Sequence, residues 1–316
     1  ATEGSADFLQ TRIRAIAAPT PPSQEAVRPR GLGEACAIAA RAAKRTPAEG
    51  RRMGRGGLSM GLESLYLFTM LGGMAAGAYA FDAGLRRTRE GSRPWLVPLV
   101  VVALFAVGMI AATTHVHSIP RAVESVFGGT VNFGSGMIQE VAVAGCFFVL
   151  AIIDLVVTLV RKGSPYALRV VGAVVGVICL VMMGVAYIDV YGNPVWCNAP
   201  ATILAFVAGD LAMGLALFAL LASADYAGKP LRLAAYIVNA VLAVGLVLEA
   251  VAFSGEGFSP ITQIAGLVIA PVVSVVLVAL SSKINNKKAL AIAICVASIV
   301  GVAIARYAFY ATCTVA

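Results

Sequence analysis

Histidine is almost missing from this chain. Its 316 residues hold only two, His115 and His117, two positions apart. A b-type haem held between helices takes two axial ligands from facing elements, and a dihaem protein takes four. Bis-histidine haem is therefore excluded, and only a mixed Met/His pair stays open. Charge is scarce as well: Asp, Glu, Lys and Arg make up 13% of the chain, where a soluble domain carries about a quarter. No C-x-x-C pair occurs among Cys36, Cys146, Cys179, Cys197, Cys295 and Cys313, which argues against a metal or iron–sulfur site. Three of these cysteines lie inside apolar runs and read as small buried side chains; a Cys197–Cys313 disulfide at one face stays open. Two histidines without nearby cysteines make a poor metal site, so neither haem nor metal is expected in this chain.

What the chain has in quantity is apolar surface, with 59% hydrophobic residues and a mean hydropathy of +0.88. Apolar runs of about 20 residues recur, the length that crosses roughly 30 Å of hydrocarbon. The fold class is therefore all-α, a polytopic membrane protein of eight transmembrane helices in two four-helix halves. The spans read as about 62–83, 94–114, 136–160, 167–189, 199–222, 231–253, 259–281 and 288–311. Pro94, Pro165, Pro200, Pro230 and Pro260 fall near span starts, where a missing N–H costs least. Pro271 falls inside the seventh span and predicts a kink there.

The formal charge of +8 is unevenly spread. Of 24 basic and 16 acidic residues, ten and five lie in residues 1–59, leaving 14 and 11, a net of +3, for the rest. No nucleic-acid motif accompanies that basicity. Residues 1–59 show no apolar period, no h-region and no twin-arginine signal, and they read as a disordered or spurious N-terminal extension. Residues 60–316 read as the eight-helix membrane domain. The loops after spans 1, 3, 5 and 7 hold Arg86, Arg87, Arg89, Arg93, Arg161, Lys162, Arg169, Lys229, Arg232, Lys283, Lys287 and Lys288, against Arg121 alone on the opposite side. That bias puts both ends of the eight-span unit outside, together with the segment from His115 to Glu140.

Ionisable groups gather in that segment: His115, His117 and Arg121 follow span 2, and Gln139-Glu140 opens span 3. A carboxylate in hydrocarbon costs roughly 3 kcal/mol on insertion scales, so Glu140 should face a cavity or a partner, and Arg121 could pair with it. A quinone site fits these groups. Quinol oxidation releases two electrons and two protons, and it needs a hydrogen-bonding group at each ring oxygen and a proton exit. A histidine of pKa near 6.5 beside a carboxylate supplies both. The competing view makes His115 and His117 interfacial residues satisfied by water. Gly128-Gly129 and Gly134-x-Gly136 let the intervening loop fold inward. Asp154, about 21 Å along the helix from Glu140, and mid-span Asp210 read either as a proton path or as polar contacts between helices. Glu249 and Arg306, toward the same ends of spans 6 and 8, could neutralise each other.

Several stretches resemble the membrane anchor subunits of the dimethyl-sulfoxide reductase family, within the polysulfide-reductase-type integral membrane subunits. They are Glu63-x-x-x-x-Phe68-Thr69 followed by Ala76-Gly77-Ala78; His115 with Arg121-Ala122, then Gln139-Glu140; and Trp196-x-Asn198-x-Pro200-Ala201-Thr202. The likeness spans 60–316. His117 stands where that family usually has Gly, and about three extra residues precede Glu140. The resemblance implies a non-catalytic, haem-free anchor subunit in the cytoplasmic membrane of a prokaryote. It would bind menaquinol at His115, Arg121, Glu140 and His117, and pass electrons to a four-cluster iron–sulfur subunit and thence to a molybdopterin catalytic subunit. The alternative from another class is a secondary transporter with Asp154, Asp210 and Glu249 on a midplane pathway. Pro271 is one helix break of the kind such proteins show in pairs, and the first four spans hold no counterpart.

Overall fold

The computed structural model describes residues 55–88, 93–115, 124, 128–129, 131–188 and 193–315. Among them there is no strand. The eight helices are α1 (Arg55–Leu85), α2 (Leu96–His115), α3 (Gly136–Arg161), α4 (Tyr166–Ile188), α5 (Ala199–Leu221), α6 (Lys229–Gly255), α7 (Ile261–Ala279) and α8 (Lys287–Val315). Each is long and apolar enough to cross a membrane, and the bounds match the sequence reading to within four residues, except that α1 begins about seven residues earlier. Apolar length decides this, because a backbone in hydrocarbon must satisfy its own hydrogen bonds within the segment. Pro271 does not end α7. The helix widens into a π turn over Val268–Val272 and continues to Ala279, which absorbs the carbonyl that proline leaves unpaired.

The helices close into two rings of four. In the first, α1 packs on α2, α2 on α3, α3 on α4 and α4 on α1; in the second, α5, α6, α7 and α8 repeat the same circuit. The rings meet through α1 against α5, with α4 on α5 matched by α8 on α1. Side-chain detail repeats too. Phe147 of α3 abuts Gly176 of α4, and seven residues after Gln263 of α7, Ala270 abuts Gly301 of α8, as Phe147 lies seven after Glu140. The central pair, α1 and α5, is 67% and 72% buried, against 28% to 50% for the outer six. Lipid is as apolar as leucine, so close backbone approach rather than hydrophobicity holds such helices together. Gly77 and Gly214 provide it: a methyl group on Gly77 would meet the Asp210 carbonyl oxygen at 2.5 Å, and one on Gly214 would strike the Gly77 backbone.

Alternate helices run in opposite directions, so His115, the start of α3 and the finish of α8 share one end, the histidine end. At the other end Arg169 is not a loop charge. It lies in the first turn of α4, 1% exposed, where its guanidinium donates to the Asp82 carboxylate at 3.3 Å and to the carbonyls of Asp82 and Arg87. Arg86 completes the cluster on Asp82. Cys313 carries a free thiol, so the Cys197–Cys313 pairing left open above is not made.

Candidate functional site

Glu140 is the fifth residue of α3. The buried face of that helix runs Gly136, Glu140, Ala144, Phe147, Ala151, Asp154, Leu155, Thr158, while Val141, Val149, Ile152, Val156 and Leu159 face outward. This 3.6-residue period aims Glu140 into the bundle rather than at lipid. The residue is 8% exposed, and Oε1 is buried with no hydrogen-bond partner among the described residues. The loop ahead is tied down locally: the Gln139 side-chain amide donates to the Phe133 carbonyl at 3.0 Å, and the Gly134 amide to Asn132 Oδ1 at 3.0 Å.

At the same end of the bundle lies a polar string with an aromatic jacket. Tyr187 of α4 and Tyr310 of α8 are both buried. The Tyr310 hydroxyl donates to the Tyr187 hydroxyl at 2.6 Å and meets Thr69 Oγ1 of α1 at 3.1 Å. Thr69 Oγ1 also lies 3.1 Å from the Tyr66 carbonyl. Trp196, Phe206 and Phe309 pack around the Tyr187 ring at centroid distances of 5.3, 5.3 and 5.9 Å, excluding water from the hydroxyl pair.

Deeper still, Arg306 of α8 donates to Asp210 Oδ1 of α5 at 2.5 Å and to the carbonyls of Thr69 and Phe206 at 3.0 and 3.1 Å. Its guanidinium carbon sits 4.3 Å from the centre of the Phe206 ring. The partner of Arg306 is thus Asp210, not Glu249. Asp210 lies on the side of α5 that faces both α1 and α8, and Gly73 of α1 leaves room for its carboxylate, which a methyl group there would overlap. Glu249 of α6 lines the same small cavity as Arg306.

The stretch Trp196-x-Asn198-x-Pro200-Ala201-Thr202 is structural. The Asn198 side chain caps α5 by accepting from the Ala201 amide, and Pro200 takes an early position that needs no N–H donor. The Trp196 indole donates to the Phe309 carbonyl at 2.9 Å, and the Thr202 hydroxyl donates to the Trp196 carbonyl at 3.0 Å. The α4–α5 connection is thereby pinned to α8 beside the hydroxyl pair.

Of the residues singled out from sequence, His115 is the last residue of α2, which packs on α3; His117 and Arg121 lie outside the described residues. Asp154 is fully buried toward the other end of α3, and Asp210 is fully buried at mid-span. Sequence reasoning gave Thr69 no role beyond the family likeness and passed over Tyr187 and Tyr310, because a hydroxyl costs little in a hydropathy count. The available signal was their common placement near the histidine ends of three different spans. Among the described residues no group of three or more His, Cys, Asp or Glu could hold a metal ion.

Comparison with curated proteins found no match. The model of one family, the DMSO reductase anchor subunit (DmsC), matches residues 58–312. That stretch contains all eight spans, the Glu140 carboxyl, the hydroxyl string and the Asp210–Arg306 pair, and with it the chain belongs to the DMSO reductase anchor subunit (DmsC) family, as a multi-pass membrane anchor.

Proposed function

We infer that this anchor subunit binds and oxidises menaquinol at the histidine end, near the outer face of a prokaryotic cytoplasmic membrane. The electrons pass to a four-cluster iron–sulfur subunit and on to a molybdopterin catalytic subunit, so the chain is not catalytic alone. The observation that carries the reading is Glu140: a buried carboxyl with an open oxygen, aimed inward where α2 ends in His115. Menaquinol loses two protons and two electrons to become menaquinone. His115 takes or orients one quinol hydroxyl, Glu140 accepts a proton, Arg121 positions Glu140 or meets the partner subunit, and His117 contributes to quinol binding. A buried acid close to the surface suits this work, since it can exchange protons with water and still sit against an apolar ring.

Quinol-dependent turnover of the assembled complex tests it. His115→Ala and Glu140→Ala are each expected to lower that rate by roughly a hundredfold or more, the range of a lost general base, with assembly intact. Activity with an artificial donor that feeds the catalytic subunit directly should not change. Asp154→Asn should have a much smaller effect. Parental quinol oxidation in both the His115 and Glu140 variants sinks the proposal, and loss of turnover in Asp154→Asn alone would move the proton chemistry deep into the membrane.

A further inference from the structure

The Asp210–Arg306 pair has a third member that the quinol reading does not use. A cavity of about 10 Å³ is walled by Glu249, Arg306 and otherwise apolar side chains, Phe206, Leu242 and Val302 among them. That is about the space one water molecule needs, and its two polar side chains are a carboxyl and a guanidinium. Glu249 is 3% exposed, Arg306 4% and Asp210 0%. Arg306 already has a full counter-ion in Asp210 at 2.5 Å, while Asp210 Oδ2 has no hydrogen-bond partner among the described residues. One guanidinium and two carboxyls make a cluster that is neutral with one proton bound and carries a buried negative charge without it. Burying an uncompensated charge costs several kcal/mol.

We propose that Asp210, Arg306 and Glu249 form a buried proton-binding site, with one exchangeable proton carried on Glu249 and a water in the cavity joining Glu249 to the Arg306 guanidinium. A hydroxyl string stands beside the site without reaching it: the Thr69 hydroxyl meets Tyr310 and Tyr310 donates to Tyr187, but Arg306 touches Thr69 only at the backbone carbonyl, which has no proton to give. The proposal does not rest on the reading of Glu140 above.

Infrared spectroscopy of the complex in lipid, without quinol, tests the site by its protonated-carboxyl band and the shift of that band in deuterated water. Glu249→Gln is expected to abolish one such band. Asp210→Asn is expected to abolish the same band although Glu249 is still present, because Glu249 then becomes the counter-ion of Arg306. Tyr310→Phe should keep the band, because the string holding Tyr310 meets Arg306 only through the Thr69 carbonyl. An unchanged spectrum in Glu249→Gln overturns the proposal, and so does a band that survives Asp210→Asn in a folded complex. Loss of the band in a folded Tyr310→Phe complex would put the proton on the hydroxyl string and overturn its assignment to Glu249. No readout here depends on quinol turnover, so failure of the His115 and Glu140 variants to affect the rate would remove the function proposed above and leave this result standing, and the converse also holds.

Discussion

Arg306→Met is expected to destabilise the eight-helix unit by about 3–5 kcal/mol, the cost of leaving one member of a buried ion pair alone. The substitution keeps the stem and removes the guanidinium, so three acceptors lose their donor at once: the Asp210 carboxylate and the carbonyls of Thr69 and Phe206. Each belongs to a helix of the central contact, two in α5 and one in α1, so the loss falls where the two rings join. Unfolding in mild detergent, or trapping of dissociated helices, reads the effect. The double variant Asp210→Asn/Arg306→Met should be markedly less damaged than Arg306→Met alone, since it buries no unpaired charge. If the double variant is the worse of the two, the pair is not what makes Arg306 necessary.

The second large effect is steric. Gly77→Val is expected to cost about 3 kcal/mol, the upper part of the range for overpacking, and to lower the amount of folded protein in the membrane. Its Cβ would lie 2.5 Å from the Asp210 carbonyl oxygen and 3.3 Å from the Gly214 Cα. Both obstacles are backbone, so no rotamer change relieves them, and α1 must move away from α5 and take Asp210 off Arg306. Gly145→Ala is the control. A methyl group there meets nothing within 4 Å, and removing a mid-helix glycine should leave stability equal or up to about 1 kcal/mol higher. Equal accumulation of the Gly77 and Gly145 variants would show that close approach of α1 and α5 is dispensable.

Residues that the sequence already singled out behave differently once helices meet. Glu140 could be picked from the chain because a carboxylate one turn inside a 26-residue apolar helix stands out locally, and the period of α3 already puts it on the face of Ala144 and Phe147. Arg306 stood out for the same reason, but its partner did not. Glu249 and Asp210 are both plausible by depth, and the choice falls to Asp210 because Gly73 opens a place for its carboxylate between α1 and α8. Trp196 and Asn198 carried the family likeness without showing why. In three dimensions they cap α5 and tie it to α8, a role that no spacing along the chain contains.

The sequence by itself determined the eight spans and their alternation. Each of these depends on one segment at a time: apolar length against hydrocarbon thickness, prolines at helix starts, basic residues in short connections. Only the tertiary structure decided that the spans close into two matching rings, that Arg169 is a buried partner of Asp82 rather than a loop charge, and that Arg306 answers to Asp210. It also brought Tyr187 and Tyr310 to within 2.6 Å of each other across 123 positions of chain. The physical reason is that in a uniformly apolar surrounding, span formation is nearly independent of neighbours. Which faces meet is set by where small residues let backbones approach and where buried polar groups must find one another.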